Sequence, residues 1–214
     1  WGLLGEILMA RGRPAEAAAV YADGHARHPR SAYAVAIWRA YTTAGDARRG
    51  LPALEAWWQA HPADPDARAA LAIAWPQLGE WTKAQALYES LAAARPDEPM
   101  ILNNLALLYL RTGDARAVAT AQRAQTLAPE HPVVLDTLGW VLVQRGETTR
   151  GVEFLQAAQA RDATNPELRW HLGYALNRLG RKSEARRHIE QALASNAEFD
   201  GIEDARHLLV ALPR

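Results

Sequence analysis

Residues Asn165 to Ser195 read NPELRWHLGYALNRLGRKSEARRHIEQALAS, and this stretch decides the fold. Asn-Pro is a helix-opening signal, because proline in the first helical position lacks only a donor that the helix leaves unpaired anyway. Leu168, Leu172, Leu176 and Leu179 follow at helical spacing and supply a core-facing stripe. Gly180 ends the run, since glycine readily takes the left-handed conformation that closes a helix. Ser183 to Ser195 forms the return helix. Working back from Gly180, glycines stand at Gly146, Gly113, Gly79, Gly45 and Gly12, at intervals of 34, 33, 34, 34 and 33 residues. The opening device recurs as Asp64-Pro65, Glu98-Pro99 and His131-Pro132, although Glu and His are weaker caps than Asp or Asn. A fixed period of this length means one supersecondary unit stacked end to end.

The predicted helix pairs are 3–11 with 14–28, 31–44 with 47–60, 65–78 with 81–94, 98–111 with 115–127, 132–145 with 148–161, and 166–179 with 182–195. A last helix near 201–212 carries Ile202, Ala205, Leu208 and Leu209 at helical spacing and covers the open end of the final pair, as terminal units in repeat arrays must. The repeats then run 1–30, 31–64, 65–98, 99–131, 132–165 and 166–199, with a cap over 200–212. No linker or low-complexity segment interrupts them, so a single domain over 1–214 is expected.

The pattern resembles the tetratricopeptide repeat (TPR), whose 34 positions favour Trp, Leu, Gly, Tyr, Ala, an aromatic residue, Ala and Pro at fixed sites. The first unit supplies Trp1, Leu4, Gly5, Leu8, Ala17, Tyr21 and Pro29 in that register. The third supplies Leu71, Ala72, Trp75, Ala84, Tyr88, Leu91 and Pro96, and the sixth Leu172, Gly173, Leu176, Ala185, Ile189 and Ala192. The resemblance implies an all-α, right-handed α-solenoid of about six helix-turn-helix repeats with a C-terminal capping helix. Small residues are expected where the two helices of a unit cross, as at Gly139 and Gly151. The second unit departs from this rule by placing Trp38 at the small position, with Gly50 as its expected contact and source of compensating room.

Composition narrows the function. Hydrophobic residues make up 49% of the chain, and alanine suits closely packed helices. The 24 basic and 24 acidic residues cancel, which argues against nucleic acid, whose binding needs a basic face. Arg181, Lys182, Arg186 and Arg187 form one local basic cluster, placed by helical spacing on a solvated face. No stretch approaches the roughly 18 uninterrupted apolar residues of a membrane span. Absence of cysteine excludes disulfides and thiolate metal sites and fits either redox compartment. The chain opens at Trp1 inside an apolar helical pattern, which reads as a piece of a longer protein, with any signal or lipid anchor lying outside it.

Catalytic constellations are not found. The seven histidines form no helical metal motif, the Glu203/His207 spacing reads as a surface contact, and neither a phosphate loop nor a nucleophile elbow is present. The chain is therefore expected to be no enzyme and to carry no cofactor or metal.

In an array of this kind the first helices of successive units line the inner face. Their inward stripe offers Asn103, Asn104, Leu107 and Arg111 in the fourth unit, and Asp136, Thr137, Trp140 and Gln144 in the fifth. The sixth offers Trp170, His171, Tyr174, Asn177 and Arg178, with Trp170, Tyr174 and Asn177 at i, i+4 and i+7 on one face. Aromatic rings and amides converging there suit a sugar face or a peptide backbone. The competing reading is that Trp140 and Trp170 are spacers between repeats. Trp1, Trp57, Trp75 and Trp81 fit core or helix-interface positions, and Trp58 the surface of its pair.

From Leu102 onward a narrower likeness appears. Leu102-Asn103-Asn104-Leu105-Ala106, Leu127-Ala128-Pro129, Leu135 to Trp140, Trp170-His171-Leu172 and the tail Phe199 to Leu212 resemble TPR lipoproteins associated with the PEP-CTERM/exosortase system and exopolysaccharide production. That resemblance implies an extracytoplasmic, periplasmic scaffold, possessing a lipidated N-terminus, that binds a protein or peptide partner or a polysaccharide. Two other readings compete. One is a cytoplasmic peptide-binding adaptor. Its carboxylate-clamp version is disfavoured because the only lysines, Lys83 and Lys182, lie on second helices, and only Asn104 sits at the asparagine-ladder position, with Thr137 and His171 following. The other is the noncatalytic arm of a larger enzyme such as a glycosyltransferase.

Overall fold

The computed structural model describes residues 1–195 and 197–213. Among them are thirteen α-helices and no strand. They are α1 (Gly2–Ala10), α2 (Pro14–Arg27), α3 (Ser31–Thr43), α4 (Ala47–Ala60), α5 (Pro65–Gln77), α6 (Trp81–Ala94) and α7 (Pro99–Thr112). There follow α8 (Ala117–Leu127), α9 (Pro132–Gln144), α10 (Thr148–Arg161), α11 (Pro166–Arg178), α12 (Lys182–Leu193) and α13 (Ile202–Ala211). The chain divides into two compact units, Trp1–Leu87 and Tyr88–Arg214, with the division falling inside α6.

All six spaced glycines take positive φ, from 70° at Gly12 to 91° at Gly146. After each one the next amide donates to the carbonyl five residues back. The N–H of Arg13 reaches Leu8 at 2.9 Å, that of Asp46 reaches Tyr41 at 2.8 Å, and that of Arg181 reaches Leu176 at 3.0 Å. This left-handed closure pairs carbonyls that the helix end would leave open, and it explains why the period is punctuated by glycine. Helix starts follow the cap chemistry. Asp64 accepts from the amides of Asp66 and Ala67, and Asn165 from that of Glu167, whereas Glu98 and His131 make no side-chain cap bond. One start lies later than expected: α8 begins at Ala117, because the Asp114 carboxylate binds both the amide and the guanidinium of Arg116 and holds 114–116 in a turn.

In the first unit α1 packs on α2, α2 on α3, α3 on α4 and α4 on α5, and the first helices α3 and α5 are also neighbours. Its small-residue crossings are visible at Gly5, where an added Cβ would stand 2.2 Å from Tyr21 Cε1. At Gly50 an added Cβ would stand 2.6 Å from the Cα of Trp38. Gly50 thus answers the bulky residue as expected, but by letting the two backbones approach rather than by making room for the indole. Trp1 takes the helix-interface position expected of it, though partly exposed, whereas Trp58 departs from expectation. Trp1 is 43% exposed and lies on α2, donating from Nε1 to Asp23. Trp58 is half-buried, edge-on to Trp75 at 5.5 Å, because its ring spans the gap to the next hairpin.

In the second unit the hairpins α7–α8, α9–α10 and α11–α12 pack in succession, with α7, α9 and α11 adjacent along one side and α13 laid against α11 and α12. Gly139 and Gly151 meet as expected: a Cβ on either would come within 2.9 Å of the other's carbonyl oxygen. The core is deepest here, and Val134, Leu138, Val141, Leu142, Val143 and Leu155 are sealed from solvent.

Candidate functional site

The inner helices of the second unit bound a cleft of about 830 Å³. Seven of the thirteen residues expected on the inner face line it: Arg111 from α7, Trp140 and Gln144 from α9, and Trp170, His171, Tyr174 and Asn177 from α11. That all three inner helices contribute follows from the repeat period, which returns the same helix face at each first helix.

The centre of the cleft is aromatic. Trp140 stacks on His171 with centroids 4.1 Å apart and planes 17° from parallel. Tyr174 meets Trp140 edge-on at 5.1 Å and Trp170 at 5.6 Å, so one phenol bridges both indoles. Beneath the stack, Nδ1 of His171 donates to Oδ2 of Asp136 at 2.8 Å, and both side chains are nearly sealed from water. A carboxylate can only accept, so the Nδ1 proton and the ring orientation are fixed. Burial pushes His171 down, but the Asp136 charge and hydrogen bond, with Glu167 and Asp200 nearby, outweigh it and raise its pKa above the usual 6.5. Burial raises Glu167 as well, assisted by the charges of Asp136 and Asp200 against the opposing His171.

Other members of the expected set lie elsewhere. Asn103 is 1% exposed, its Oδ1 is buried without a partner, and its amide makes a long 3.4 Å contact with Asn104. Asn104 donates to the Tyr88 hydroxyl at 3.0 Å. Thr137 is buried in α9, and Arg178 turns away to donate to the Val143 carbonyl at 3.2 Å. Trp170 borders the cleft but is only 3% exposed. It packs with Ala205 and Leu212 of the C-terminal segment.

That segment is what the sequence reading of the site missed. Asp200, Gly201, Asp204 and Leu208 also line the cleft. Arg111 donates from Nη2 to Asp200 Oδ2 at 2.7 Å across 89 residues of chain. The available signal was the Asp200-Gly201 turn before the last helix, which sequence alone assigns to capping. The first unit has a further cleft of about 710 Å³, lined by Glu6, Tyr33, Trp38, Arg39, Asp66 and Ile73 among others, at positions where the repeat is mostly apolar.

The remaining charged features are local. Glu203 pairs with Arg206 rather than His207, and the basic cluster is partly engaged by Glu184 and Glu190. Among the described residues no helix is long and apolar enough to cross a membrane, and no group of three side chains is placed to hold a metal.

Stacked hairpins closed by left-handed glycines, with a side-chain-lined inner face, define a helical-repeat scaffold. The chain is a tetratricopeptide-repeat protein: three family profiles, each described as tetratricopeptide repeat, match residues 1–23, 41–108 and 97–200. Among solved structures it resembles a thermophilic TPR protein of Thermus thermophilus, at a TM-score of 0.68 and 21% identity over 85% of this chain and 100% of that one. It also resembles MamA from Desulfovibrio magneticus RS-1, at 0.60 and 19% over 78% of this chain and 94% of that one. A third is YrrB, described as a TPR protein with an unusual peptide-binding site, at 0.55 and 11% over 89% and 96%. At these identities the likeness shows the fold alone. No curated protein matches the sequence. Proteins with this fold are generally non-catalytic scaffolds that take protein or peptide partners.

Proposed function

We propose that the cleft of the second unit is a groove for a peptide segment of a protein partner, and that the chain works as a non-catalytic scaffold. The observation that carries this is the convergence of Trp140, His171, Tyr174 and Asn177 with the guanidinium of Arg111 in one cleft. Rings supply rigid contact area at low entropic cost, the amide of Asn177 matches backbone groups, and Arg111 favours a carboxylate. The setting we propose is extracytoplasmic, in exopolysaccharide production or the sorting of PEP-CTERM proteins. What supports it is the likeness of the segments from Leu102 onward to lipoproteins of that system.

The test is tryptophan fluorescence titration with acidic peptides and, in parallel, with neutral and acidic polysaccharides. Peptide binding that is weakened at least about tenfold by Trp140→Ala, the loss expected for a central aromatic contact, supports the groove. Retained peptide affinity in that variant overturns it, and binding of polysaccharide alone replaces peptide with glycan as the ligand. Fractionation of cells expressing the full-length gene tests the setting, which cytosolic retention overturns.

A further inference from the structure

The face of α1 that carries Leu3, Leu4 and Ile7 is apolar and open to solvent. Counted forward by the repeat interval, Leu4 and Ile7 correspond to Ile37 and Ala40 in the second unit, Leu138 and Val141 in the fifth, and Leu172 and Ala175 in the sixth. Their counterparts in all five later units are at most 5% exposed, whereas Leu4 is 52% and Ile7 40% exposed. The side chains are of the same kind throughout, so what differs is the cover. At the later positions that cover is the hairpin before. α3 packs on α2, α9 on α8 and α11 on α10. Ile37 and Ala40 share a cluster with Ala17, Ala18 and Tyr21 of α2. Leu138 and Val141 share one with Ala117 and Ala121 of α8 and with Leu105 and Tyr109 of α7. The cover is thus a two-helix unit whose second helix turns alanines inward, small enough for the neighbouring helix to come close.

We propose that this face of α1 is the seat of a further tetratricopeptide hairpin, carried upstream of Trp1 on the same gene product and packed on Leu4 and Ile7 through an alanine-bearing second helix. The same polypeptide is the source because each covering hairpin described here is the one just before in sequence, joined by a turn of three or four residues. So short a connection keeps the cover at high effective concentration without demanding tight binding. A lipid surface fits the face less well. α1 has nine residues, carries Glu6 and no basic side chain, and so lacks the cationic rim of a helix that lies on a membrane. Packing there would join α1 to the sum of neighbour interfaces on which a repeat array depends.

The test compares the 214-residue chain with the full-length gene product by amide hydrogen exchange. Amides of α1 should exchange at least about tenfold more slowly in the full-length protein, as expected of a helix moved from an open edge into a stack. Leu4→Asp and Ile7→Asp provide the control. In the 214-residue chain both side chains already meet water, so either change should alter exchange of α1 by no more than about twofold. In the full-length protein the same changes should abolish the slowing while α9 stays protected. Equal exchange of α1 in the two proteins overturns the proposal, as does slowing that survives both substitutions. A full-length product with no helical hairpin ahead of Trp1 overturns it as well. Sedimentation of the 214-residue chain checks for a second copy on this face: a dimer that Leu4→Asp dissociates gives the face to self-association and overturns the assignment. Binding to anionic vesicles that Ile7→Asp abolishes gives it to a lipid surface, with the same consequence.

Discussion

Gly50 illustrates how a single missing side chain sets a helix crossing. Its Cα faces the backbone of α3 beneath Trp38, and an added methyl meets Cα at 2.6 Å and the Ile37 carbonyl at 3.2 Å. Backbone cannot swing aside as a side chain can, so Gly50→Ala should cost about 1–3 kcal/mol through overpacking. An unchanged urea midpoint would refute this. His171 makes a prediction in pH. Its folded pKa lies above 6.5, so the stability it contributes is fully present below 6.5 and is lost as pH rises through the folded value. Glu167, raised by burial, acts in the same direction at lower pH, since its folded form also holds its proton more tightly. Unfolding midpoints should therefore fall on the alkaline side of 6.5, and His171→Asn should flatten that segment of the profile. A wild-type profile indifferent to the substitution would refute the assignment. The face that carries these residues was legible from sequence, because helical spacing alone puts Asp136, Trp140, His171 and Tyr174 inward. Which of them water reaches was not. The Asp136–His171 bond joins different helices, and the cover over Trp170 comes from Gly201, Ala205 and Leu212, more than thirty positions downstream.

At the scale of elements, caps and closures were written in the local sequence, and the structure follows them closely. Asp64 binds the amides of Asp66 and Ala67 and also accepts from Trp57 Nε1 at 3.0 Å, so it ties the start of α5 to α4. Asp64→Ala should destabilise by about 0.5–2 kcal/mol, the usual loss of an N-cap. The same change at Glu98, which makes no cap bond, should cost much less, and equal losses in thermal melts would refute the distinction. The late start of α8 was not legible, because it depends on Arg116 folding back on Asp114 and reaching Glu89 at 2.8 Å on another helix. The last helix, α13, was expected as a cover, and Ala205 and Leu212 do bury against the final hairpin. Its second role, delivering Asp200 to the cleft, lay beyond reach of periodicity because an ion pair across 89 residues leaves no local trace.

For the molecule as a whole, stability in a repeat array is a sum of each hairpin and its interfaces with its neighbours. Burial is uneven along the chain. Nine of the thirteen residues of α9 are buried, while α1 buries only Gly5 and Leu8 and leaves Leu3, Leu4 and Ile7 exposed. Amide hydrogen exchange should accordingly be slowest in α9 and fastest in α1, and comparable protection in the two would contradict this account. The repeat period made this architecture readable at once, since six glycines fix six units, yet period carries no information about depth of packing. A zipper ordinarily opens from its last tooth. Here Asp200 hooks that tooth to α7, laid down 89 residues earlier. The last helix is thereby tied not only to the hairpin beside it but also to an inner helix two hairpins back.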